Sequence, residues 1–457
     1  MARKRLNSVI GIDIGSQSIK VAEIRRSGND NAVSALGITA TPPGTVDHTG
    51  VYDTDLIGAS IKGLCAEAGA TSKDVVISVA GQASILVRTL EVPRMNPSEL
   101  KAHMDWEISR NIPFAESTVM SDYRTVPGQD PGSANMDVVM AIAPQTAVDT
   151  LMGICKKAGK VAHALDVEPL AIARVLANGY AGDIAGQIVC VVEMGSKTTA
   201  INIYKDGQLL LPRQVPVGGD QFTSSLSSSL GMSNEDSEAV KRDKVVVPTN
   251  PAPPAVPGMF NATDTFQAYN PFAEDAPPAM DYSAPADEPQ YTEPQYTEPQ
   301  YTEPNYQPSD SAGDFSPPDY SADLPDADVP PAYSSPFDDT PAYTPEPSLV
   351  PATPSDDDRY FNAIAVDVDE FVAEVRRSID YFRSKGGDVN RIYVCGGGIR
   401  LKGLGELIEQ AIGLPTEVLD PFRNMEISAR KLAPGVLEEH RSEFTIAVGN
   451  ALHISFD

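Results

Sequence analysis

Val9-Ile10-Gly11-Ile12-Asp13-Ile14-Gly15-Ser16-Gln17-Ser18-Ile19-Lys20-Val21-Ala22-Glu23-Ile24 reads as a β-hairpin. Apolar residues alternate with small or acidic ones up to Gly15. The run Gly15-Ser16-Gln17-Ser18 turns the chain, and Ile19, Val21 and Ile24 resume the apolar pattern. Such a turn points several backbone N–H groups and hydroxyls in one direction, an arrangement that cradles a phosphate. Asp13, just before the turn, is placed to hold a hydrated Mg²⁺, and Lys20, just after it, to neutralise phosphate charge. An ordinary glycine hairpin carries the same local pattern, so the weight of this reading comes from the rest of the chain.

The design recurs about 180 residues later. An apolar strand over 188–194 contains Glu193 and runs into Gly195-Ser196-Lys197-Thr198-Thr199; an alternating strand follows, and Asp206-Gly207 gives a tight turn into 208–211. A carboxylate inside an apolar strand is costly unless it binds something. Two hairpins of this kind imply a duplicated α/β domain gripping one phosphate tail from both sides. Gly218-Gly219-Asp220 then opens a helix with Phe222, Leu226 and Leu230 aligned, and a second helix carries Glu238 and Lys241. Further on, a strand over 391–395 enters Gly396-Gly397-Gly398, and a helix follows over 404–412. There a backbone can approach a nucleotide closely, and the helix dipole favours anions.

Between the two hairpins, the spacing of Leu56, Ile57, Ile61, Leu64 and Cys65 predicts a helix over 56–68, stopped by Gly69. Strands are expected over 75–79 and 85–90. Asn96 as N-cap, Pro97 at the first helical position and Glu99 two residues later mark a helix start, with Leu100, Met104, Ile108 and Ile112 as its buried stripe and Pro113 as its end. Trp106, the one tryptophan, falls off that stripe. A strand over 138–143 and a helix over 145–158, with Val148, Leu151, Met152 and Cys155 inward, complete what reads as an α+β module inserted at 86–164.

The formal net charge of −28 is unevenly placed. Residues 245–358 hold 21 Asp and Glu, 25 of the 39 prolines and no Lys or Arg; without those 21 acids the net charge is −7, ordinary for a soluble protein. The acidic excess argues against nucleic acid or an anionic membrane as the main partner. Residues 245–358 cannot bury enough apolar area to offset the entropy of ordering and are expected to be disordered. Their tandem units, Glu288-Pro289-Gln290-Tyr291-Thr292 and three successors ending in the degenerate Glu303-Pro304-Asn305-Tyr306-Gln307, read either as docking tyrosines or as an acidic spacer. Cys65, Cys155, Cys190 and Cys395 lie far apart in apolar runs, which predicts buried reduced thiols in a cytosolic protein. Asp13 interrupts the first apolar stretch too early for a signal peptide, and no apolar run is long enough to span a membrane. The terminal apolar run 444–452 reads as a packed helix without a basic membrane-binding tail.

In this order the pieces resemble the actin-like ATPase superfamily, and within it the PilM family of type IV pilus assembly proteins, relatives of the division protein FtsA. The most telling stretches are Arg88-Thr89-Leu90-Glu91-Val92-Pro93-Arg94-Met95-Asn96-Pro97-Ser98-Glu99-Leu100, then Trp106-Glu107 to Ile112-Pro113-Phe114 with Asp122-Tyr123 after it, and Ala164-Leu165-Asp166-Val167-Glu168-Pro169-Leu170-Ala171. The resemblance implies an α/β actin-like fold of two related halves: a first core subdomain over 1–85 completed by 165–187, the inserted α+β subdomain over 86–164, a second half over 188–244 and 359–457, and a disordered acidic insert at 245–358. It implies ATP and Mg²⁺ as cofactors. The first phosphate loop spans 11–20, with Gly15, Ser16, Gln17, Ser18 and Lys20 on phosphate and Asp13 on the metal. The second spans 193–199, with Glu193 toward the metal and Gly195, Ser196, Lys197 and Thr198 on phosphate. Gly218 and Gly219 adjoin it, Gly396, Gly397 and Gly398 form the adenosine motif, Glu238 and Lys241 contact ribose and adenine, and Glu168 falls near the residue that orients the attacking water. Glu193 departs from the usual Asp, and Lys197 adds a cation to the second loop. The family's partner is the N-terminal cytoplasmic peptide of PilN, an inner-membrane protein, which implies a cytoplasmic scaffold that reaches the membrane through its partner. An enzyme that turns over ATP through Glu168, and a self-associating, filament-forming relative of FtsA, are the alternatives.

Overall fold

The computed structural model describes residues 6–28, 30–47, 49–79, 85–112, 118–127, 129–248 and 356–455. In chain order its elements are β1 (Ser8–Ile14), β2 (Ser18–Ser27), β3 (Asp30–Ala40), α1 (Thr54–Ala68), β4 (Asp74–Val79), β5 (Leu86–Pro93), α2 (Pro97–Arg110), β6 (Val119–Thr125), β7 (Asn135–Pro144), α3 (Gln145–Lys157), β8 (Val161–Val167) and α4 (Glu168–Gly179). There follow β9 (Ile188–Met194), β10 (Thr199–Lys205), β11 (Gln208–Leu211), β12 (Gln214–Val215), α5 (Gly219–Leu230), α6 (Asn234–Asp243), α7 (Asp356–Ser384), β13 (Arg391–Cys395), α8 (Leu404–Ile412), β14 (Thr416–Val418), β15 (Glu426–Ile427), α9 (Val436–His440) and α10 (Thr445–Ala451).

Two sheets share one topology. The first runs β3-β2-β1-β4-β8 and the second β11-β10-β9-β13-β14. In each, the first two pairings are antiparallel and the last two parallel. This repeat is the duplication that the two hairpins predict. The added edge strand β15 comes from the chain's return after β14 and pairs with β3. A third sheet, β5-β7-β6, sits with α2 in the β4-to-α3 crossover.

The central strands β1 and β9 are largely apolar, apart from Asp13 and Glu193 near their ends, because both of their faces are covered. Between the two main sheets lie α4 and α10. One cluster joins Val9, Ala22 and Ile24 of the first sheet, Ala171, Ile172 and Val175 of α4, Ala447 and Val448 of α10, and Val189, Val191 and Tyr204 of the second sheet. The outer face of the first sheet is covered by α1 and α3, that of the second by α5, α7 and α8. Two glycines set the central spacing. A Cβ at Gly11 would lie 1.8 Å from the Ala447 carbonyl oxygen of α10, and one at Gly449 would lie 2.1 Å from the Ala171 carbonyl oxygen of α4.

Several local expectations change. Leu56 is 50% exposed, since the buried stripe of α1 runs through Ile57, Ile61, Leu64 and Cys65 and Leu56 sits one position off it. Met152 is exposed for the same reason, with Leu151, Ile154 and Cys155 forming the buried face of α3. Helix α3 and strand β8 pack chiefly with the first sheet and α1, although α3 also touches β6 and β7. Leu151 and Ile154 meet Ile57 and Ile61 of α1, and β8 pairs in parallel with β4.

The folded chain also continues beyond Lys244. Val245 and Val247 are buried and Val247 N donates to Lys402 O at 2.8 Å, while α7 begins at Asp356. These contacts replace both boundaries of the expected 245–358 insert. The rest of that stretch, with its tyrosine repeats, and Pro113 lie outside the described residues. The capping box at Asn96 and Glu99 forms as expected, with Trp106 exposed on α2. Cys65, Cys155, Cys190 and Cys395 are buried free thiols. No helix among the described residues is long and apolar enough to cross a membrane.

Gly11→Ala or Gly449→Ala should lower stability by at least about 1–3 kcal/mol, the scale of overpacking. Gly63→Ala, in α1 with nothing near the added methyl, should raise it by about 0.5–1 kcal/mol. Denaturant unfolding of the three variants checks both signs.

Candidate functional site

The turns of the two equivalent hairpins face each other across one cleft of about 860 Å³. Both close in the same way: Gly15 N donates to Ser18 O at 3.0 Å, and Gly195 N to Thr198 O at 2.9 Å. Asp13 and Glu193 hold matching places, each two residues before its glycine. Across the cleft the Ser16 and Ser196 hydroxyls hydrogen-bond to each other. Gln17 Nε2 approaches both carboxylate oxygens of Asp220 at 3.4 Å, and Lys197 Nζ lies 2.7 Å from that carboxylate.

Of the residues singled out from the sequence, all but Gly218 and Gly396 line this cleft, Glu168 included. Those two stand behind it. A Cβ on Gly218 would lie 2.4 Å from Ser196 O, and one on Gly396 would lie 2.5 Å from Met194 O and 2.8 Å from the Glu193 carboxylate. They let the second turn, α5 and the glycine motif pack backbone to backbone.

The floor of the cleft is rich in carboxylates. Strand register sets Asp13 opposite Lys20, and Lys20 Nζ lies 3.1 Å from Asp13 Oδ2. Burial works to lower the Lys20 pKa, but Asp13, Glu443 and Glu193 outweigh it and raise it, so the ammonium stays charged. Glu168, the first residue of α4, is pushed well above the usual carboxylate range by burial and then by the charges of Glu193 and Asp13. Glu193 is raised to about 7, by burial first and then by Asp13, against the pull of Lys20. Asp13, Glu168 and Glu193 thus gather around the Lys20 ammonium, an excess of carboxylate that an added cation would offset, while Glu443 is shared between Lys20, Arg400 and His440. Among the described residues no three or more His, Cys, Asp and Glu form a metal cage. A divalent ion here would take its remaining ligands from phosphate and water.

The opposite wall is built by α5, α6 and the glycine motif. Lys241 Nζ donates to Gly219 O at 2.9 Å, Thr223 Oγ1 at 2.8 Å and Glu238 Oε2 at 2.6 Å. Burial pushes the Glu238 carboxyl up, but Lys241 and the Thr223 hydroxyl overcome it and hold the group below its ordinary pKa. Gly397 and Gly398 line this wall.

Among the lining residues that sequence reasoning missed are Asp220, Arg400, His440 and Glu443. Asp220 was read only as a helix start. Arg400 contacts Glu443 at 3.2 Å and Glu439 at 2.5 Å, and His440 Nδ1 lies 2.8 Å from Glu443. A Glu directly ahead of the terminal apolar run was the available signal for Glu443; Arg400 and His440 carried none, because the tertiary fold alone joins them. Behind the floor, Asn450 of α10 donates to Ile12 O at 2.9 Å and accepts from Ser78 Oγ at 2.8 Å, tying α10 to the strands that carry Asp13.

A family model described as type IV pilus assembly protein PilM matches residues 11–250 and 363–455. The gap between the two matched stretches covers the acidic, proline-rich segment. Among solved structures, a chain of a PilM-PilN type IV pilus biogenesis complex is 21% identical over 99% of both chains, with a TM-score of 0.67. The ethanolamine utilization protein EutJ of Carboxydothermus hydrogenoformans is 13% identical over 98% of this chain and 91% of that one, with a TM-score of 0.46. MreB 5 of Spiroplasma citri bound to AMPPNP is 10% identical over 98% and 95%, with a TM-score of 0.43. With two sheets of one α/β topology and a family match that runs through both, the chain belongs to the PilM family of type IV pilus assembly proteins.

Proposed function

We propose that the cleft binds ATP with Mg²⁺ and that the bound nucleotide sets the surface this pilus assembly protein offers to its partners. The observation that carries the reading is the meeting of two equivalent glycine turns, Gly15–Ser18 and Gly195–Thr198, over a floor with one buried lysine and several carboxylates. Backbone N–H groups and the Ser16, Ser18, Ser196 and Thr198 hydroxyls receive the phosphates. Lys20 balances their charge, and Asp13 and Glu193 hold the metal through its water shell. Mg²⁺ supplies charge neutralisation of the phosphate tail. Glu238, Lys241 and the backbone of Gly396, Gly397 and Gly398 take the nucleoside. Glu168 stands at the N-terminus of α4 and lines the cleft, with its pKa raised by burial and by the charges of Glu193 and Asp13; in this reading it orients the attacking water and turnover is at most slow.

The partner in this reading is the N-terminal peptide of a PilN-like inner-membrane protein, seated where the third sheet meets the first. The support is the solved PilM-PilN complex, whose fold this chain shares. Protein of this kind reaches the membrane through that partner, as a scaffold of the assembly platform.

Calorimetric titration of the full chain with ATP and Mg²⁺ should show binding that weakens by about tenfold or more in Asp13→Ala, the loss expected for one charge-assisted contact. No binding by the parent chain overturns the reading. Glu168→Gln should slow phosphate release by about 10²-fold; unchanged release removes Glu168 from that role. A PilN-like peptide should bind the ATP-loaded and ADP-loaded protein with different affinities, and equal affinities would sink nucleotide control.

The carboxylates of the floor also set a pH dependence. Glu193 is raised in the folded state, so its favourable contribution is complete below its unfolded pKa of about 4.5 and is lost as the pH rises through about 7. Glu168 acts with the same sign. The nucleotide-free protein should therefore lose thermal stability across that window, and Glu193→Gln should flatten the decline.

A further inference from the structure

We infer that Lys197 and Asp220 count phosphates: Asp220 pairs with Lys197, the terminal phosphate of a nucleoside triphosphate takes Lys197 from it, and a diphosphate leaves the pair in place. This rests on the nucleotide reading of the cleft. Lys197 belongs to the tip of the second turn, beside Ser196, whose hydroxyl meets Ser16 of the first turn. It is therefore placed where two phosphate cradles converge.

The cations of the cleft differ in how firmly they are held. Lys20 is buried against Asp13 and surrounded by further carboxylates. Lys241 is bound by a carbonyl, a hydroxyl and a carboxylate. Lys197 is 45% exposed, and Asp220 is its ion-pair partner at 2.7 Å. An ion pair this exposed is worth only a factor of a few in equilibrium terms. A lysine bound to phosphate inside a cleft is worth roughly tenfold or more. Phosphate therefore wins the exchange, but only a phosphate that reaches the tip.

The exchange has a second effect. Asp220 also receives Gln17 Nε2 from the other half, and its own N–H donates to Ser196 O at 2.8 Å. Its carboxylate is thus shared between the second turn and the tip of the first. Withdrawal of Lys197 leaves that carboxylate less neutralised and reorganises the bridge between the turns. A third phosphate then has a direct mechanical consequence for the spacing of the two halves, and a second phosphate has none.

The test is calorimetry of the full chain with Mg²⁺ and either ATP or ADP, on the parent, Asp220→Asn, Lys197→Met and the double variant, each first checked by thermal unfolding. The ATP-to-ADP affinity ratio should rise roughly two- to fivefold in Asp220→Asn and fall by about tenfold in Lys197→Met. The double variant should match Lys197→Met, since Asp220 acts through the lysine. Amide exchange in the nucleotide-free protein should quicken at 15–18 and 195–198 in Asp220→Asn. Binding with an unchanged ratio overturns the selector and leaves the nucleotide site standing. A gain from Asp220→Asn that persists without Lys197 also overturns it, because plain charge repulsion then explains the effect. No nucleotide binding by the parent fails the cleft reading and the selector with it.

Discussion

Helix α10 is held on both sides by contacts from which side chains have been removed. Gly11 lets the backbone of β1 lie against Ala447, and Gly449 lets the helix lie against Ala171 of α4. The distance between the first sheet and α4 follows from these two approaches, and α4 in turn packs on the second sheet through Tyr204 and Val189. Since Asp13 is two residues beyond Gly11 on the same strand and Glu168 opens α4, this spacing also fixes how far apart the cleft's carboxylates stand. Asn450 completes the arrangement by taking both Ile12 O and the Ser78 hydroxyl from α10.

The cleft then becomes a question of charge. Its floor concentrates carboxylates around Lys20, and burial makes Glu168 and Glu193 hold their protons more tightly. A phosphate chain alone would meet repulsion there, and a bare divalent ion would find too few ligands. The two together supply what each lacks. Glu193 also sits against the glycine motif, its carboxylate so close to Gly396 that any side chain there would strike it.

Much of this was legible before any coordinates. Both hairpins, the capping box at Asn96 and the helix after the glycine motif follow local rules of period and turn chemistry, and they form where those rules place them. Repetition made the sequence informative, since Asp13 and Glu193 sit at equal offsets from their glycines. What failed was information that local pattern does not contain. Leu56 and Met152 belong to apolar pairs in which only packing decides which member faces inward. Helix α3 has a buried face that suits any apolar surface, and only the β4–β8 pairing assigns it to the first sheet. Val245 and Val247 lie next to a proline-rich acidic run, and composition hid a pairing with Lys402 that is made across more than 150 residues.

The path of the chain between the halves carries one more consequence. It crosses from the first sheet to the second after α4, and returns between β14 and β15. The acidic segment leaves after Val247 and comes back at α7, so both of its ends are rooted in the same half. It therefore spans neither crossing. The two halves are joined by two chain crossings whose length is independent of the insertion. The acidic segment can be lengthened, shortened or replaced by a reporter domain without adding a tether across the cleft, while its root at Val247 and Lys402 lies only a few residues from the glycine motif.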